Sequence, residues 1–248
     1  MSLPERMAII SDLHANFEAM KAVLDWLQKE RIEHLVCLGD IIGYNASPAE
    51  VTYIAWQRTV FSLKGNHERY VLGMEAKGVK EEKLEVIRWT QEQLSAQYVD
   101  WLRSLPDSHL YESAILLVHG SPRDPDEYLL NNDTISKGFK HLKDNYPGIP
   151  LCFFGHSHFP MVVGNNKVDS SFQETRTIPL LRDKTYMINP GSVGQPRDRC
   201  PKTSFGVMDL RKWEYTCVRL DYDHETTATR IKEAGLDASL ATRLSRGR

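Results

Sequence analysis

The chain has 248 residues, of which 41% are hydrophobic and 26% are charged, and its formal net charge is −2 at pH 7. This composition is typical of a globular protein and excludes a collagen, a coiled coil and a largely disordered chain. The near-neutral charge offers no basic surface for a nucleic-acid polymer or an anionic membrane. No apolar run is long enough for a transmembrane helix or a secretory signal. We expect one cytoplasmic domain over residues 1–248, with its four cysteines reduced.

Short apolar runs alternate with longer stretches of helical period. Runs of this length are typical of strands that are buried on both faces. The predicted strands are residues 7–10, 35–38, 60–63, 114–118, 151–154 and 186–188. Because helices separate the first strands, the pattern favours right-handed crossovers and a largely parallel first sheet.

The helical stretches carry recognisable start and stop signals. Residues 17–30 place their apolar side chains on one helical face, namely Phe17, Met20, Val23, Leu24 and Leu27. The segment Ser47-Pro48-Ala49-Glu50 predicts a helix start, with a serine N-cap, a proline in the first turn and a glutamate that completes a capping box. Residues 79–105 predict two further helices, with Ser95 as the cap between them and Pro106 after the last.

The pattern changes after residue 159. A turn at 164–166 and strands at 205–210 and 215–220 predict a second, more antiparallel sheet. From residue 225 onward we expect one or two helices that end in a solvated basic tail.

Polar residues follow the ends of the predicted strands. The segments are Ser11-Asp12-Leu13-His14, Gly39-Asp40, Gly65-Asn66-His67-Glu68, His119-Gly120, Gly155-His156-Ser157-His158 and Asn189-Pro190-Gly191-Ser192. Ligands of open α/β sheets bind outside the carboxyl ends of the strands, and five of the nine histidines fall there. Because alternate residues of an extended segment point the same way, His156 and His158 could serve one ion cluster. The remaining histidines are interpreted as surface residues.

Seven of these residues offer two carboxylates, one amide oxygen and four imidazoles, without a thiolate, namely Asp12, Asp40, Asn66, His14, His119, His156 and His158. This donor set favours Mn, Fe, Zn, Co or Ni over calcium or a structural cysteine-zinc site. Seven donors exceed one tetrahedral site and suit two octahedral ions that share a carboxylate and a water. Two ions about 3.5–4 Å apart would hold the attacking and leaving oxygens of a displacement at phosphorus and would lower the pKa of the shared water.

The ordered set of motifs resembles the calcineurin-like metallophosphoesterases, and most of all their short bacterial and archaeal members. The resemblance implies an α/β fold, a four-layer α/β/β/α sandwich in which two mixed sheets are flanked by helices and the metal site lies at the C-terminal strand ends. It also implies a small phosphate-ester substrate and two divalent or trivalent metal ions. Manganese is the first to test, with iron, zinc, nickel and cobalt as alternatives.

The resemblance also assigns roles to individual residues. The implied ligands are Asp12, His14 and His158 for one ion, Asn66, His119 and His156 for the other, and Asp40 as the bridge between them. A hydroxide shared by the ions would attack phosphorus. His67 would protonate the leaving oxygen or stabilise the transition-state charge.

The sequence departs from the phosphoprotein phosphatases of this superfamily at one motif. Those enzymes continue Gly-Asp with x-x-Asp-Arg, which supplies a carboxylate that orients the catalytic histidine and an arginine that binds phosphate. Gly43 and Tyr44 occupy these positions here, which disfavours a protein phosphatase. Arg197 is the candidate substrate-binding residue, and Arg69 and Arg123 also lie beside motifs.

These features favour a dinuclear-metal phosphodiesterase, because a dianionic monoester would benefit more from dedicated arginines. A phosphomonoesterase and a dinucleotide polyphosphate hydrolase are the alternatives, and a nuclease acting on long polymers is disfavoured. A non-catalytic binding scaffold on the same fold would be expected to have lost ligands or His67. A single-metal hydrolase acting on an amide or lactone would need only about four ligands.

Overall fold

The computed structural model describes residues 3–74, 81–164 and 167–248, and in these ranges it contains two six-stranded mixed sheets. The strands are β1 (Arg6–Ile10), β2 (Leu35–Cys37), β3 (Phe61–Ser62), β4 (Ser108–Tyr111), β5 (Ile115–Val118), β6 (Leu151–Phe153), β7 (Met161–Gly164), β8 (Lys167–Asp169), β9 (Arg176–Pro179), β10 (Tyr186–Asn189), β11 (Thr203–Asp209) and β12 (Glu214–Leu220). The helices are α1 (Phe17–Glu30), α2 (Pro48–Arg58), α3 (Asn66–Val71), α4 (Glu81–Gln93), α5 (Ala96–Ser104), α6 (Asn132–Asn145), α7 (His224–Glu233) and α8 (Ala238–Leu244). Within these ranges, none of the helices has both the length and the apolar character needed to cross a membrane.

The first sheet has the strand order β3-β2-β1-β11-β12-β9, in which β1, β2 and β3 run parallel and the remaining pairs are antiparallel. The second sheet has the order β4-β5-β6-β10-β7-β8, with β5, β6 and β10 parallel at its centre. Helices cover the outer faces of both sheets, which confirms the predicted fold class.

Alternation of side chains along the central strands builds the layers. Met7 and Ile9 of β1 pack between the two sheets, whereas Ala8 and Ile10 face the helical layer that includes α1 and α2. On the far side, Leu142 of α6 packs against the second sheet. Because the central strands are covered on both faces, they are apolar at nearly every position, as the short runs in the sequence indicated.

The six predicted strands all form, the first three in the first sheet and β5, β6 and β10 in the second. The prediction that residues 205–210 and 215–220 belong to a second sheet is wrong. Strand β11 pairs antiparallel with β1, and β12 with β11, so both extend the first sheet. An apolar run indicates burial on both faces but carries no information about which strand lies beside it.

The predicted helix signals hold in most places. Ser95 caps α5 as predicted, by accepting from the Tyr98 N–H at 3.4 Å. Asn16 caps α1, although it was not among the predicted caps. Ser47 is the N-cap residue of α2, but its side chain makes no capping hydrogen bond, so the predicted capping box is wrong. Its hydroxyl instead lies 3.5 Å from a guanidinium nitrogen of Arg230.

A few predictions fall outside the described residues or missed an element. Residues 79 and 80, at the start of the predicted helical pair, and residues 165 and 166, in the predicted turn, lie outside the described ranges. Helices α3 and α6 and strands β4 and β9 were not predicted. Strands β4 and β9 are half-exposed edge strands, and their alternating burial gives a weak apolar signal.

The C-terminal segment folds back onto the body of the protein. Helices α7 and α8 bury Ile231 and Leu244 in a cluster that also contains Val86 of α4 and Tyr44. The Arg199 N–H donates to the Gly247 carbonyl at 2.8 Å, so the last residues contact a loop near the strand ends. The predicted solvated tail is therefore wrong, because its one leucine, Leu244, is part of a core.

Candidate metal centre

The residues predicted as ligands meet at the carboxyl ends of strands from both sheets. Those that follow strands of the first sheet are Asp12, His14, Asp40 and Asn66, and those that follow strands of the second are His119, His156 and His158. All seven are buried. Buried polar side chains of this density require partners, and here they mainly face one another.

Ligand atoms fall into two groups that share one residue. In the first group, Asp12, His14, Asp40 and His158 present atoms that all lie within 4.8 Å of one another, and in the second, Asp40, His119 and His156 do the same. The shared carboxylate oxygen, Oδ2 of Asp40, lies 3.6 Å from His14 Nε2 and 3.4 Å from His119 Nε2. Asn66 joins the second group, since its Oδ1 lies 3.2 Å from His119 Nε2.

Each of the four ligand imidazoles is oriented by a backbone carbonyl. One ring nitrogen faces the carbonyl oxygen of a neighbouring segment, in the pairs His14–Ile42 (3.1 Å), His119–Leu38 (2.8 Å), His156–Asp126 (3.0 Å) and His158–Gln195 (2.5 Å). In the neutral form of each ring that nitrogen carries the proton, and the other is left with a lone pair. This arrangement is typical of histidines that bind metals.

The lone pairs face other acceptors. Nε2 of His14 lies 3.1 Å from Nε2 of His158, and Nε2 of His119 lies near Asn66 Oδ1. Two acceptors at this distance repel each other unless a proton or a cation lies between them. Nitrogen and oxygen donors without thiolate suit a divalent transition metal, so the residues present fit a metal site.

The backbone at the ligands is strained. Asp12, His14, Asp40, His156 and His158 all have φ between 44° and 63°, the left-handed region that side chains of L-residues rarely adopt. Such strain persists where the surrounding structure enforces it and is common at functional sites. It also corrects one argument from the sequence: His156 and His158 lie in left-handed turns after β6 and not in an extended segment, and their ring atoms lie in different groups of candidate ligands.

Glu68 is a buried residue at the candidate site, and the strand-end motifs assigned it no role. Its buried carboxylate accepts hydrogen bonds from four backbone N–H groups, those of Asp40, Ile41, Ile42 and Gly65, at 2.7–3.2 Å. Burial raises its pKa to about 7, and the Asp40 charge acts in the same direction. Glu68 thereby ties the loop after β2 to the start of α3. Its place directly after Asn66-His67 was the only signal in the sequence.

His67 lies beside both the first ligand group and the loop after β2. Its N–H donates to Asp40 Oδ1 at 2.9 Å, and its ring lies 4.7 Å from that of His14 and 4.5 Å from that of Tyr44. Gly43 has φ +89°, and a Cβ there would lie 2.1 Å from His67 Nδ1. The glycine that replaces the expected carboxylate therefore lets the histidine approach the backbone.

The three arginines beside the motifs have different surroundings. Arg69 forms ion pairs with Asp107 and Asp126, and Arg123 forms one with Glu127. Nη2 of Arg197 lies 3.1 Å from Gln195 Oε1 and 3.4 Å from the Tyr44 hydroxyl. Among the described residues, Arg197 forms no ion pair with a carboxylate.

The titratable groups influence one another strongly. Burial raises the pKa of Asp12 to about 7, and the Asp40 charge adds to the effect. Burial acts to raise the pKa of Asp40 as well, but the neighbouring His119 and His67 outweigh it and hold that pKa well below its usual value. Burial also lowers the pKa of His14 and His158, which keeps these imidazoles neutral and able to bind a cation.

A sequence model of the calcineurin-like phosphoesterase superfamily domain matches residues 6–212. The chain belongs to this superfamily. Membership makes it a metal-dependent hydrolase of phosphate esters, and its buried cluster of aspartates and histidines fits a divalent metal site.

Individual relatives of this phosphoesterase agree with the family match. An uncharacterised protein of Methanocaldococcus jannaschii is 34% identical over 248 residues, which is 98% of this chain and 98% of that protein. The crystal structure of a metallophosphoesterase from Sphaerobacter thermophilus has 32% sequence identity and a TM-score of 0.86, with 98% of this chain and 99% of that chain covered. A hypothetical protein from Pyrococcus horikoshii shares the fold at 20% identity and a TM-score of 0.79, with 98% of each chain covered.

Proposed function

We propose that this phosphoesterase holds two transition-metal ions and hydrolyses a small phosphodiester. Asp12, His14 and His158 would bind one ion, Asn66, His119 and His156 the other, and Asp40 both. The observation that carries the proposal is the position of Asp40, whose Oδ2 lies at similar distances from a histidine of each ligand group, 3.6 and 3.4 Å. When bound, the ions would polarise the phosphoryl oxygens and lower the pKa of a water between them.

His67 would donate a proton to the oxygen of the leaving group. Its Nδ1 lies on the side of Gly43, so Nε2 is the nitrogen that can point away from this backbone contact. Protonation of the leaving oxygen by a positioned side chain contributes about 10²–10⁴-fold to the rate of such reactions. The rings of Tyr44, His14 and Tyr70 surround His67 and support its orientation.

Arg197 would bind a phosphate oxygen. A guanidinium that is partly buried without a carboxylate partner is costly unless an anion reaches it. Its partners among the described residues are the phenols of Tyr44 and Tyr128 and the amide of Gln195, none of which carries a charge that would compensate its own. Arg69 and Arg123 are already neutralised by ion pairs.

The preference for a diester follows from how many arginines beside the motifs lack a carboxylate partner among the described residues. A monoester dianion carries one more charge than a diester and would gain from a second guanidinium. Among the arginines beside the motifs, Arg197 alone lacks an ion pair within the described residues. A diester therefore matches the cations that the protein itself supplies.

The test is hydrolysis by the metal-loaded protein, with Mn²⁺ first and then Co²⁺, Ni²⁺, Zn²⁺ and Fe²⁺. We expect a higher kcat/KM for bis-(p-nitrophenyl) phosphate than for p-nitrophenyl phosphate. A reversed order would contradict the diester preference and favour a phosphomonoesterase. Failure to hydrolyse either ester with any of these metals would contradict the proposed reaction.

A further inference from the structure

Two phenols hold Arg197 from opposite sides of the metal centre. On one side, the Tyr44 ring lies 4.5 Å from the ring of His14, a member of the first ligand group. On the other, the Tyr128 ring lies 3.8 Å from that of His156, in the second group. The Arg197 side chain interacts with both hydroxyl groups. Tyr44, Arg197 and Tyr128 thus form an arch that begins at one ligand group and ends at the other.

We propose that Tyr44 and Tyr128 are positioning residues, which hold the Arg197 guanidinium across both ligand groups so that it binds the phosphate of the substrate. The proposal rests on the proposed function, in which Arg197 binds a phosphate oxygen, and it adds the residues that set the affinity for that phosphate. Neither tyrosine is assigned a role by the strand-end motifs.

Neutral partners suit a guanidinium that must bind an anion. A carboxylate would fix Arg197 equally well, but it would compete with phosphate for the same charge. Phenol and amide oxygens accept hydrogen bonds from the guanidinium without neutralising it. The charge of Arg197 accordingly reaches ligands of both groups, among them Asp12 and His156.

Gln195 provides an independent sign that an acceptor belongs beside Arg197. Because a guanidinium can only donate, the contact with Nη2 of Arg197 requires Oε1 of Gln195 on that side. Nε2 of the same amide is buried and has no hydrogen-bond partner among the described residues. A buried donor without a partner is destabilising, and a phosphate oxygen would satisfy it.

Tyr44 is held rigidly, as a positioning residue must be. Its side chain is 6% exposed, and it packs in the cluster formed by Val86, Ile231 and Leu244. Its φ of +65° shows that the local backbone is constrained. Tyr128 is 40% exposed, so the arch is closed by the C-terminal helices at the Tyr44 end and reaches solvent at the Tyr128 end.

The test is calorimetric titration of inorganic phosphate into the Mn-loaded protein, which needs no turnover. Tyr44→Phe and Tyr128→Phe each remove one hydroxyl and keep the ring, and each should weaken phosphate binding by about 3–10-fold. Tyr53→Phe, at an exposed tyrosine of α2, is the matched control and should leave it unchanged. All variants should retain the same metal content.

A double-mutant cycle separates positioning from general stability. If the hydroxyls act through Arg197, then Tyr44→Phe and Tyr128→Phe should have no further effect in an Arg197→Ala background. Equal effects in both backgrounds, no effect in the wild type, loss of metal, or a wild type that does not bind phosphate would each overturn the proposal. Because Tyr128 is partly exposed, its variant provides the test even where Tyr44→Phe unfolds the chain.

The same variants distinguish the arch from the proposed reaction. In the hydrolysis assay, Tyr44→Phe and Tyr128→Phe should raise KM by a factor similar to the loss of phosphate affinity, with kcat much less changed. Phosphate binding that depends on both tyrosines, in a protein that hydrolyses no ester, would support the arch and contradict the proposed function. Hydrolysis of an ester by a protein whose phosphate binding is independent of both tyrosines would contradict the arch and support the proposed function.

Discussion

Glu68 shows how one buried side chain can determine the geometry of the metal centre without binding a metal. It holds the N–H groups of Asp40, Ile41 and Ile42, which follow β2, against Gly65 at the start of α3. The same contact brings Asp40 so close to Gly65 that a Cβ at residue 65 would lie 2.2 Å from Asp40 Oδ1. The loop that carries Asp40, the candidate shared ligand, therefore depends on the glutamate.

Glu68→Ala should lower the free energy of unfolding of the metal-free protein by at least about 3 kcal/mol, since each buried N–H left without an acceptor costs about 1–3 kcal/mol. It should also reduce the bound Mn²⁺, because Asp40 is no longer held in place. Urea denaturation and metal analysis measure the two effects. Glu92→Ala, at an exposed glutamate of α4, is the control, and equal midpoints for the two variants would contradict this role for Glu68.

Gly43→Ala should reduce kcat by about 10²–10³-fold while the metal content stays the same, because the added Cβ would displace the His67 ring. Gly73→Ala is a matched control: Gly73 also has a positive φ, +67°, but a Cβ there would meet nothing within 4 Å. Steady-state kinetics on bis-(p-nitrophenyl) phosphate and metal analysis give the comparison. If the two variants have the same kcat, contact with Gly43 does not orient His67.

At the level of residues, the sequence predicted the candidate ligands better than the residues that hold those ligands in position. Asp12, Asp40 and His119 were recognisable because polar residues directly after buried strands are unusual. Glu68 and Tyr44 act through contacts with segments far away in the chain, and such contacts have no local signature. The left-handed conformation of His156 and His158 could not be predicted from the sequence either, since non-glycine residues rarely adopt it.

Among the elements, the loop after β10 and the C-terminal helices act together. Asp198, next to Arg197, forms a buried ion pair with Arg219 of β12, and Arg219 also donates to the Phe172 carbonyl at 2.7 Å. The Gly247 carbonyl accepts from the Arg199 N–H at 2.8 Å. The loop that carries Arg197 is thus fixed from both β12 and the end of the chain.

Gly247→Ala should weaken phosphate binding to the Mn-loaded protein by about 3–10-fold, the loss expected when one positioning hydrogen bond is broken. A Cβ at residue 247 would lie 2.5 Å from the backbone nitrogen of Cys200 and would push the chain end away from the loop. Gly235→Ala, where φ is also positive but the space is open, is the control. Unchanged phosphate affinity in Gly247→Ala would show that the chain end does not support the loop.

Prediction of elements succeeded where burial is complete and failed where it is partial. The central strands were identified from continuous apolar runs, whereas β4 and β9 expose alternate residues and gave no clear signal. Assignment of strands to sheets failed because pairing is decided by tertiary contacts that a local pattern does not contain. The same limit explains why the C-terminal segment was wrongly predicted to be solvated. Its basic residues indicated exposure, although one face of α8 is buried.

In the whole molecule, the metal centre joins the two sheets. The first ligand group combines Asp12, His14 and Asp40 from the first sheet with His158 from the second. The second group likewise combines Asp40 with His119 and His156. Each ion would therefore link the two halves of the sandwich, and would also offset the repulsion between Asp12 and Asp40.

Addition of Mn²⁺ to chelator-treated protein should consequently raise Tm. An ion at about 100 times its Kd contributes about 2.7 kcal/mol, which corresponds to about 5–10 °C for a chain of this length. Differential scanning fluorimetry measures the shift. Asp40→Asn should show a smaller shift because it weakens both sites, and an equal shift in the two proteins would argue against a shared ligand.

The most direct test of two ions around Asp40 is an anomalous difference map from a crystal of the Mn-loaded protein. We predict two peaks about 3.5–4 Å apart. One should lie among Asp12, His14, Asp40 and His158, and the other among Asp40, Asn66, His119 and His156. A single peak, or peaks that do not contact Asp40, would contradict the account.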